Sequence, residues 1–438
     1  MTTTKRFATH PLVRAVALMG APMLMLGSVT AQAQSNAELE ELRERIRVLE
    51  GKLEGAISSA PELRDDNAYL LRDGDGIKIG GTTISFGGFI KADMIYGSNG
   101  NGTRNGYSIG LARTYAKAAN SDVSDWKAGF TARESRISIG TKTKDVAGHD
   151  LTTYIEMDFN TAADAAGNES VSNSYNPRMR QAFASWNGWD FGQTYTTFTD
   201  LAAMPEILGQ GKQAAFIYVT QPMIRYSMAA PGGKLMVALE NPEDSFSSST
   251  SYDDQSYPDL VARYQIRGNY GFYSVAAMLR NLEDNAADET KVTGAMSLSA
   301  RIPTVGRDDL RLQYSYGTLG RYMGLLTYPD VDLAAQAAGE VEPLNTYGVT
   351  ASYRHFWSPA WRSNLTVSHT EIVDDLEFSP KGTLSYFDSS TSVHANLLWS
   401  AHKNLTLGLE YAYWDFGEIA TSGSEQYEQV VASAKLSF

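Results

Sequence analysis

The stretch ISFGGFIKADMIY, residues 84–96, alternates between two kinds of side chain. The positions between its apolar residues include the polar Ser85, Lys91 and Asp93. Successive side chains of a β-strand point to opposite faces, so the stretch predicts a strand with one apolar and one polar face. The residues of the apolar face are Ile84, Phe86, Gly88, Ile90, Ala92, Met94 and Tyr96.

Similar stretches recur along the rest of the chain, and we count sixteen of them. Their recurrence, separated by turn residues, predicts an all-β fold of sixteen antiparallel strands. The predicted strands are 84–96, 127–143, 149–160, 177–187, 189–196, 216–228, 233–241, 258–268, 270–281, 290–301, 308–317, 345–357, 360–372, 389–401, 403–415 and 426–438.

The connections between these strands alternate in length. Short connections, such as Asn187-Gly188 and residues 358–360, alternate with long ones. A transmembrane β-barrel of the bacterial outer membrane has tight turns at one end and extended loops at the other, whereas a soluble β-sandwich has no reason to sort its loops by length. We therefore predict a closed transmembrane barrel over residues 76–438. The long connections are 97–126, 161–176, 197–215, 242–257, 318–344 and 373–388.

Aromatic side chains gather near the predicted strand ends, as the interfacial girdles of an outer-membrane barrel do. The stretch VVASAKLSF, residues 430–438, places Phe438 on its apolar face. We interpret it as the closing strand, with the aromatic residue by which such barrels are recognised for assembly. The predicted girdle residues are Tyr96, Trp126, Trp186, Trp189, Tyr353, Trp357, Trp361, Trp399, Tyr411, Trp414 and Phe438.

The N-terminal residues 1–33 have the features of a secretory signal peptide. Three positive charges precede an uncharged apolar stretch, and Ala31-Gln32-Ala33 forms a small-residue cleavage site. Removal of these three cations changes the formal net charge from −13 to −16, that is −13 − 3. The chain has no cysteine, and no later segment has about 18 consecutive apolar residues, which excludes disulfides and spanning helices after residue 33.

Residues 34–60 have a different period from the barrel. Leu39, Leu42, Ile46, Leu49 and Leu53 are spaced three and four apart, which is typical of a coiled-coil seam. A helix of about three heptads is marginal alone, so the pattern predicts a short α-helical coiled coil with identical partners. A single amphipathic helix docked on its own domain is the alternative. Residues 61–75 are predicted to be a linker between the coiled coil and the barrel.

The segments FGGFIKADMIY, ARESRISIGTKT, PRMRQAFASW, GQTYTTFTDL and QPMIRYS resemble the signature segments of the DcaP-like porins. The resemblance is dense in the first third of the barrel and mainly architectural beyond it. It implies a homotrimer in the outer membrane, in contact with lipid and lipopolysaccharide, with the coiled coil in the periplasm. It also implies passive uptake of small anionic solutes, dicarboxylates foremost.

The phosphate-selective porins are the nearest rival, because they also place a coiled coil before a sixteen-strand barrel. A phosphate- or polyphosphate-selective channel and a general diffusion porin therefore remain alternatives. In either, the coiled coil could tether the envelope by contact with peptidoglycan.

The third long connection is expected to fold into the barrel. A sixteen-strand lumen is too wide to be filled by wall side chains, and this connection is moderately apolar. We predict that it narrows a water-filled pore and that Asp200 and Glu206 lie near the narrowest point.

If the apolar faces meet lipid, basic side chains outnumber acidic ones on the inward faces. Arginine and lysine suit an anion pore because their N–H groups bind carboxylates and phosphates. The twelve inward cations expected are Lys91, Arg136, Lys142, Arg178, Arg180, Arg225, Lys234, Arg263, Arg280, Arg311, Arg354 and Arg362. The seven inward acids expected are Asp93, Glu134, Glu156, Asp158, Glu240, Asp259 and Glu410. The pore-lining cations that we single out are Lys91, Arg136, Arg178, Arg180, Arg225, Arg263 and Arg311.

No pattern indicates catalysis or a bound cofactor. The histidines are scattered without metal-ligand spacing, and neither a nucleophile elbow nor a phosphate-binding loop is present. We therefore expect no enzyme activity, no cofactor, no metal site and no nucleic-acid partner.

Overall fold

A computed structural model describes most of the region from residue 76 onward. The described residues are 76–98, 126–160, 171–209, 211–243, 255–284, 288–323, 328–332, 335, 339–374, 388–417 and 425–438. The predicted signal peptide, coiled coil and linker lie outside them. Among the described residues, no helix combines the length and hydropathy needed to cross a membrane.

The described chain forms one antiparallel sheet of eighteen strands. Most of these strands are long, in keeping with the alternating stretches of the sequence. The strands are β1 (Ile77–Ile79), β2 (Thr82–Gly97), β3 (Lys127–Thr131), β4 (Arg136–Val146), β5 (His149–Asp158), β6 (Arg178–Trp186), β7 (Trp189–Tyr195), β8 (Thr220–Ala230), β9 (Gly233–Glu240), β10 (Asp259–Gly268), β11 (Gly271–Asp284), β12 (Glu289–Pro303), β13 (Asp309–Gly317), β14 (Thr346–Phe356), β15 (Trp361–Ile372), β16 (Ser389–His402), β17 (Leu405–Phe416) and β18 (Glu425–Ser437).

The sheet closes on itself, because β18 pairs with β2 in the register Ala434–Ala92 and Leu436–Ile90. The short β1 is an extra arm that pairs with the start of β2. The strands β3 and β4 both pair with β2 and together form one wall strand. The wall therefore has sixteen antiparallel strands, and the predicted closed barrel is confirmed.

One predicted strand is interrupted. The sequence predicts a continuous strand over 127–143, but the ladder breaks between β3 and β4. The Ser135 hydroxyl replaces the ladder there: it accepts a bond from the Lys91 backbone N–H at 3.0 Å and donates to the Lys91 carbonyl at 3.3 Å. The irregularity allows the Glu134 carboxylate to contact the Lys91 ammonium.

Tight turns lie at one end of the barrel and long connections at the other. The turn between β6 and β7 consists of Asn187 and Gly188, both in the left-handed region with φ of 50° and 83°. This Asn-Gly pair suits a two-residue hairpin because both residues tolerate positive φ. The tight connections are 147–148, 187–188, 231–232, 269–270, 304–308, 357–360 and 403–404.

The outward faces form a continuous apolar surface. Ile90, Val275 and Leu409 are each more than half exposed in the single chain, at 59%, 53% and 55%. Near the turn end, Trp361 and Trp399 stack across β15 and β16 with ring centroids 5.5 Å apart. This arrangement is typical of a lipid-facing band with an aromatic girdle. Trp414 was predicted to belong to the girdle, but it is fully buried on the inward face. It lies four residues after the inward-facing Glu410 on the same strand, so both side chains point into the barrel.

The buried apolar core lies inside the barrel. It forms where two long connections pack against inward side chains of β10, β11, β15, β17 and β18. We call residues 196–219 the inner loop and residues 318–345 the second inner loop. The Phe198 and Tyr322 rings of the two loops meet edge to face at 5.9 Å, and the Tyr218 N–H donates to the Tyr322 carbonyl at 3.0 Å.

The second inner loop was not predicted to point inward. Its Leu319, Tyr322, Met323 and Leu344 are at most 2% exposed. Burial of such side chains favours packing in the lumen over an extended loop in water.

Candidate functional site in the barrel lumen

The first half of the inner loop is bonded to the inward face of β10, β12 and β13. Arg263 donates to the Thr199 carbonyl, and Arg311 donates to the Met204 carbonyl. The Asp200 carboxylate accepts from the Ala202 N–H at 3.0 Å and from the Ser299 hydroxyl. Asp200 is therefore buried in structural bonds and does not project into the pore.

The middle of the inner loop is held by ion pairs with β14 and β15. Glu206 accepts from Arg362 Nε at 2.9 Å and lies 3.8 Å from Arg354 Nη1. These neighbouring guanidinium groups hold the pKa of the Glu206 carboxyl below its usual value despite its burial. With Asn396 Nδ2 donating to the Glu206 carbonyl at 2.7 Å, this residue is an anchor of the loop on the wall.

The tip of the inner loop is fixed by Glu410 on β17. The buried Glu410 carboxylate accepts from the backbone N–H groups of Leu208 at 2.8 Å and Gly209 at 3.2 Å. Lys91 of β2 donates to the Leu208 carbonyl at 2.7 Å. The returning half bonds to β15 and β16, through Ala215 N–H to Ser368 Oγ at 2.9 Å and through Ala214.

The inward faces of β4 to β6, in contrast, keep basic side chains exposed. The side chain of Arg178 is 42% exposed and that of Arg136 is 24% exposed, whereas that of Arg311 under the loop is 1% exposed. We call the inward faces of β4 to β8 the open wall. Among these guanidinium groups, that of Arg178 is the most accessible to a solute in the lumen, whereas Arg180 and Arg225 of the same wall are only 8% and 11% exposed.

The open wall carries an interlocked set of arginines and carboxylates. Arg178 forms a two-point pair with Asp158, at 2.9 and 2.8 Å. Arg180 bridges Glu156 at 2.9 Å and Asp158 at 3.0 Å, and Arg136 reaches Glu156 at 3.3 Å. Three cations share two carboxylates, so this set has an excess positive charge of one, that is 3 − 2.

Two tyrosines support this set. The Nη2 group of Arg180 donates to the hydroxyls of Tyr218 at 2.6 Å and Tyr195 at 3.2 Å. The Phe216 ring of the inner loop stacks on Tyr218 at 5.0 Å. The guanidinium of Arg180 is therefore held in one orientation at the foot of the inner loop.

Arg225 lies lower on the open wall, paired with an acid that the sequence analysis did not include. Its Nη2 is 2.8 Å from Asp190 Oδ2, and Ser185 also donates to that carboxylate. Asp309 on β13 was missed in the same way, although it shares a face with Arg311. The alternation of strand faces that places the arginines in the lumen also places both of these acids there.

The predicted pore cations thus separate into two groups. Arg136, Arg178, Arg180 and Arg225 belong to the open wall. Lys91, Arg263 and Arg311 are nearly buried and bond the inner loop.

Lys212, in the returning half of the inner loop, is a luminal cation that sequence reasoning missed. Its ammonium donates to the Ile207 carbonyl at 3.3 Å. Burial lowers the pKa of Lys212 to about 8; nearby Glu410 opposes this shift, while Arg136 and Arg180 add to it. Because this loop was predicted to fold into the barrel, its lysine could also have been predicted to lie in the lumen. Only the acids Asp200 and Glu206 of the loop were predicted to lie there.

The second inner loop is fastened by a buried charge network near the loop end of the barrel. Arg280 pairs with Asp330 of this loop and lies 3.6 Å from Asp259. The Tyr322 hydroxyl donates to Asp259 at 2.8 Å. Gly320 has φ of 39°, and a Cβ there would meet the Asp330 carboxylate, so the close approach requires glycine.

Within the described ranges, no group of histidine, aspartate and glutamate side chains has the arrangement of a metal site.

The fold and the sequence were compared with known proteins. The outer membrane channel DcaP of Acinetobacter baumannii superimposes with a TM-score of 0.68 at 20% identity, covering 83% of this chain and 99% of that one. OmpF of Salmonella typhi in complex with daunomycin superimposes with a TM-score of 0.52 at 11% identity, covering 82% and 98%. At such identities these likenesses establish the barrel fold alone. A comparison with curated protein sequences finds no match.

The sequence itself assigns the family. A family model described as a porin subfamily matches residues 76–437, which is nearly the whole barrel. The resemblance to DcaP-like porins is therefore confirmed by both the family and the fold. The chain belongs to this porin subfamily and is a diffusion channel of the outer membrane.

Proposed function

We propose that this porin passes small hydrophilic anions, dicarboxylates foremost, through a water-filled pore between the inner loop and the open wall. The observation that carries the proposal is the asymmetry of the lumen. The acids of the inner loop are paired with wall residues: Asp200 is buried, and Glu206, although 30% exposed, is bound by Arg362. On the opposite side the Arg178 side chain is 42% exposed and that of Arg136 is 24% exposed. A solute in the gap meets accessible guanidinium groups, which bind carboxylates with two parallel N–H donors.

The carboxylates of the open wall weaken this attraction without abolishing it. Each arginine is already paired, so an anion exchanges contacts with Asp158 or Glu156 rather than filling an unoccupied site. Binding of this kind is weak enough for release, as conduction requires. The same geometry accepts phosphate, and competition between succinate and phosphate for flux distinguishes a dicarboxylate channel from a phosphate channel.

Loss of two open-wall arginines should reduce anion preference. In the double variant Arg178→Ala and Arg225→Ala, Asp158 and Asp190 lose partners, so the wall becomes more negative. We expect the chloride-over-potassium permeability ratio to fall about threefold or more, with succinate flux falling in parallel. Reversal potentials in planar bilayers measure the ratio, and a double variant with the wild-type reversal potential contradicts the proposal.

Anion preference should also decline in mild alkali. With a pKa of about 8, Lys212 is charged at neutral pH and loses its charge as the pH rises. We expect the anion permeability ratio to fall between about pH 7 and about pH 9. Lys212→Gln should make the fall in this interval shallower than in the wild type, and Lys212→Arg should keep the ratio above the wild-type value at its alkaline end. Identical profiles for the wild type and Lys212→Gln would exclude this role for Lys212.

We also propose that the mature protein is a homotrimer. In this proposal residues 1–33 are removed on export, residues 34–60 form the periplasmic coiled coil, and 61–75 join it to the barrel. The support is the heptad spacing, which alone fits two, three or four helices, together with the implication of the family resemblance. Chemical cross-linking of the full chain should give trimers as the largest product, and a ladder ending at dimers would contradict the proposal.

A further inference from the structure

Four arginines converge below the inner loop, at the turn end of the wall opposite the open wall. They come from four consecutive strands, β12 to β15, close to the turns 304–308 and 357–360. Two carboxylates, Asp309 of β13 and Glu206 of the inner loop, lie among them. We call these six residues the arginine cluster. Its arginines are Arg301, Arg311, Arg354 and Arg362.

The contacts within the cluster are short. Asp309 is 2.7 Å from Arg311 Nε and 3.2 Å from Arg301 Nη2, and it also pairs with Arg354. Glu206 binds Arg362 at 2.9 Å, and Arg354 lies 3.8 Å away. Each carboxylate is thus shared by two or three guanidinium groups.

The charges of the cluster do not balance. Four arginines and two carboxylates give an excess of +2, that is 4 − 2. The network that fastens the second inner loop, in contrast, has two arginines, Arg280 and Arg321, for two aspartates. Burying like charges together is costly unless a counter-charge joins them.

Two N–H donors in the cluster also lack an acceptor. Arg311 Nη2 and Arg354 Nε are buried and make no hydrogen bond within the described part of the chain. Arg311 is 1% and Arg354 7% exposed, so water cannot freely solvate these groups. The Nε groups of Arg280 and Arg321 in the balanced network also make no hydrogen bond within the described residues, so the excess charge is what distinguishes the cluster. Buried donors of charged groups are normally satisfied, and beside an excess of +2 these donors point to an anionic acceptor.

The cluster is accessible from the lumen on one side. The side chains of Glu206 and Arg301 are 30% and 26% exposed, and Arg362 is 14% exposed. A small solute can therefore approach at the rim, while Arg311 lies at the base.

From the excess charge, the unsatisfied donors and the one-sided access, we propose that the arginine cluster binds one small dianion. Its ligand carries two negative charges on oxygen acceptors, as a short dicarboxylate or sulfate does, because such groups accept the paired N–H donors of guanidinium. This proposal rests on the proposed function, because the solute reaches the arginine cluster through the lumen. It adds a binding site to that function. The arginine cluster is thus a second binding site, separate from the open wall and nearer the turn end of the barrel.

Calorimetric titration of the full-length protein in detergent, with succinate, sulfate and acetate as separate probes, tests the site. Succinate or sulfate should bind saturably, and acetate about tenfold or more weakly, because it has one charge. Saturation by sulfate alone assigns the site to inorganic dianions, and saturation by both assigns it to dianions in general. A wild type that shows no saturable binding of either dianion overturns the proposal.

Two variants should shift the affinity in opposite directions. Arg362→Gln lowers the excess charge to +1 and should weaken dianion binding about tenfold. Glu206→Gln raises it to +3 and frees guanidinium donors, so it should tighten binding several-fold. A purely structural cluster would give weaker or unchanged binding in both variants, and that result overturns the proposal. Arg307→Gln is the matched control, since Arg307 is an exposed arginine in the adjacent turn, stacked on Phe356, and should leave the affinity unchanged.

The outcome is separable from that of the proposed function. An anion-selective channel without saturable dianion binding refutes the cluster site and leaves the proposed function intact. Saturable binding in a channel without anion preference supports the cluster site and refutes the proposed function.

Discussion

Replacing Val275 by arginine should lower the free energy of unfolding of the barrel in a lipid bilayer by about 2–4 kcal/mol. Val275 lies on the outward face of β11, 53% exposed, between the outward residues Tyr264 of β10 and Leu298 of β12. In a protein surrounded by water, an exposed valine accepts arginine at a cost within about 0.5 kcal/mol. The large effect follows only if hydrocarbon surrounds this face.

The matched control is Val305→Arg. Val305 is even more exposed, at 77%, but it lies in the turn between β12 and β13, outside the apolar band. Its substitution should cost about 0–1 kcal/mol. Urea titration of both variants folded into phospholipid vesicles, followed by tryptophan fluorescence, compares them. Equal destabilisation by the two substitutions would mean that the apolar band does not face lipid.

Replacing Glu410 by alanine should release the tip of the inner loop and increase single-channel conductance about twofold or more. Its carboxylate is the acceptor for two backbone N–H groups of the tip, for Asn396 Nδ2 at 3.0 Å, and lies 3.7 Å from His394 Nδ1. Each bond to a charged acceptor contributes about 1.5–3 kcal/mol, and its loss leaves buried donors unpaired. Without these bonds, the tip of the inner loop is no longer held against the wall.

Glu371→Ala is the control for this experiment. Glu371 lies near the loop end of β15 on the outward face, where it accepts a bond from the Tyr347 hydroxyl at 2.8 Å. Its loss should leave conductance unchanged. Recording of both variants in symmetric salt measures the difference. Wild-type conductance in Glu410→Ala would show that the carboxylate does not hold the loop in a conductance-limiting position.

The wall of the barrel was predictable from the sequence because strand faces follow a period of two. The stretch at 84–96 and the final strand both place their apolar faces outward as predicted, with Ile90, Met94 and Leu436 exposed. The exception at 132–135 arises from one serine hydroxyl that substitutes for a backbone ladder, and side-chain alternation contains no signal for it.

The lumen was less predictable, because alternation assigns a face but not a partner. Arg311 was expected to line the pore, yet it binds a carbonyl of the inner loop more than a hundred positions away in the chain. Glu206 likewise owes its role to contact with distant strand β15, and Glu410 owes its role to contact with the distant inner loop. The inward fold of the second inner loop depends on Asp330 meeting Arg280, a pairing that local sequence does not encode.

Single-channel recording of the refolded wild-type protein in a planar bilayer under a salt gradient tests most directly whether this barrel conducts anions. We expect discrete conductance steps, a reversal potential of the sign set by anion flow, and a concentration-dependent change in current when succinate is added. A protein that inserts but shows cation preference, or a bilayer that stays silent with correctly folded protein, would contradict this expectation.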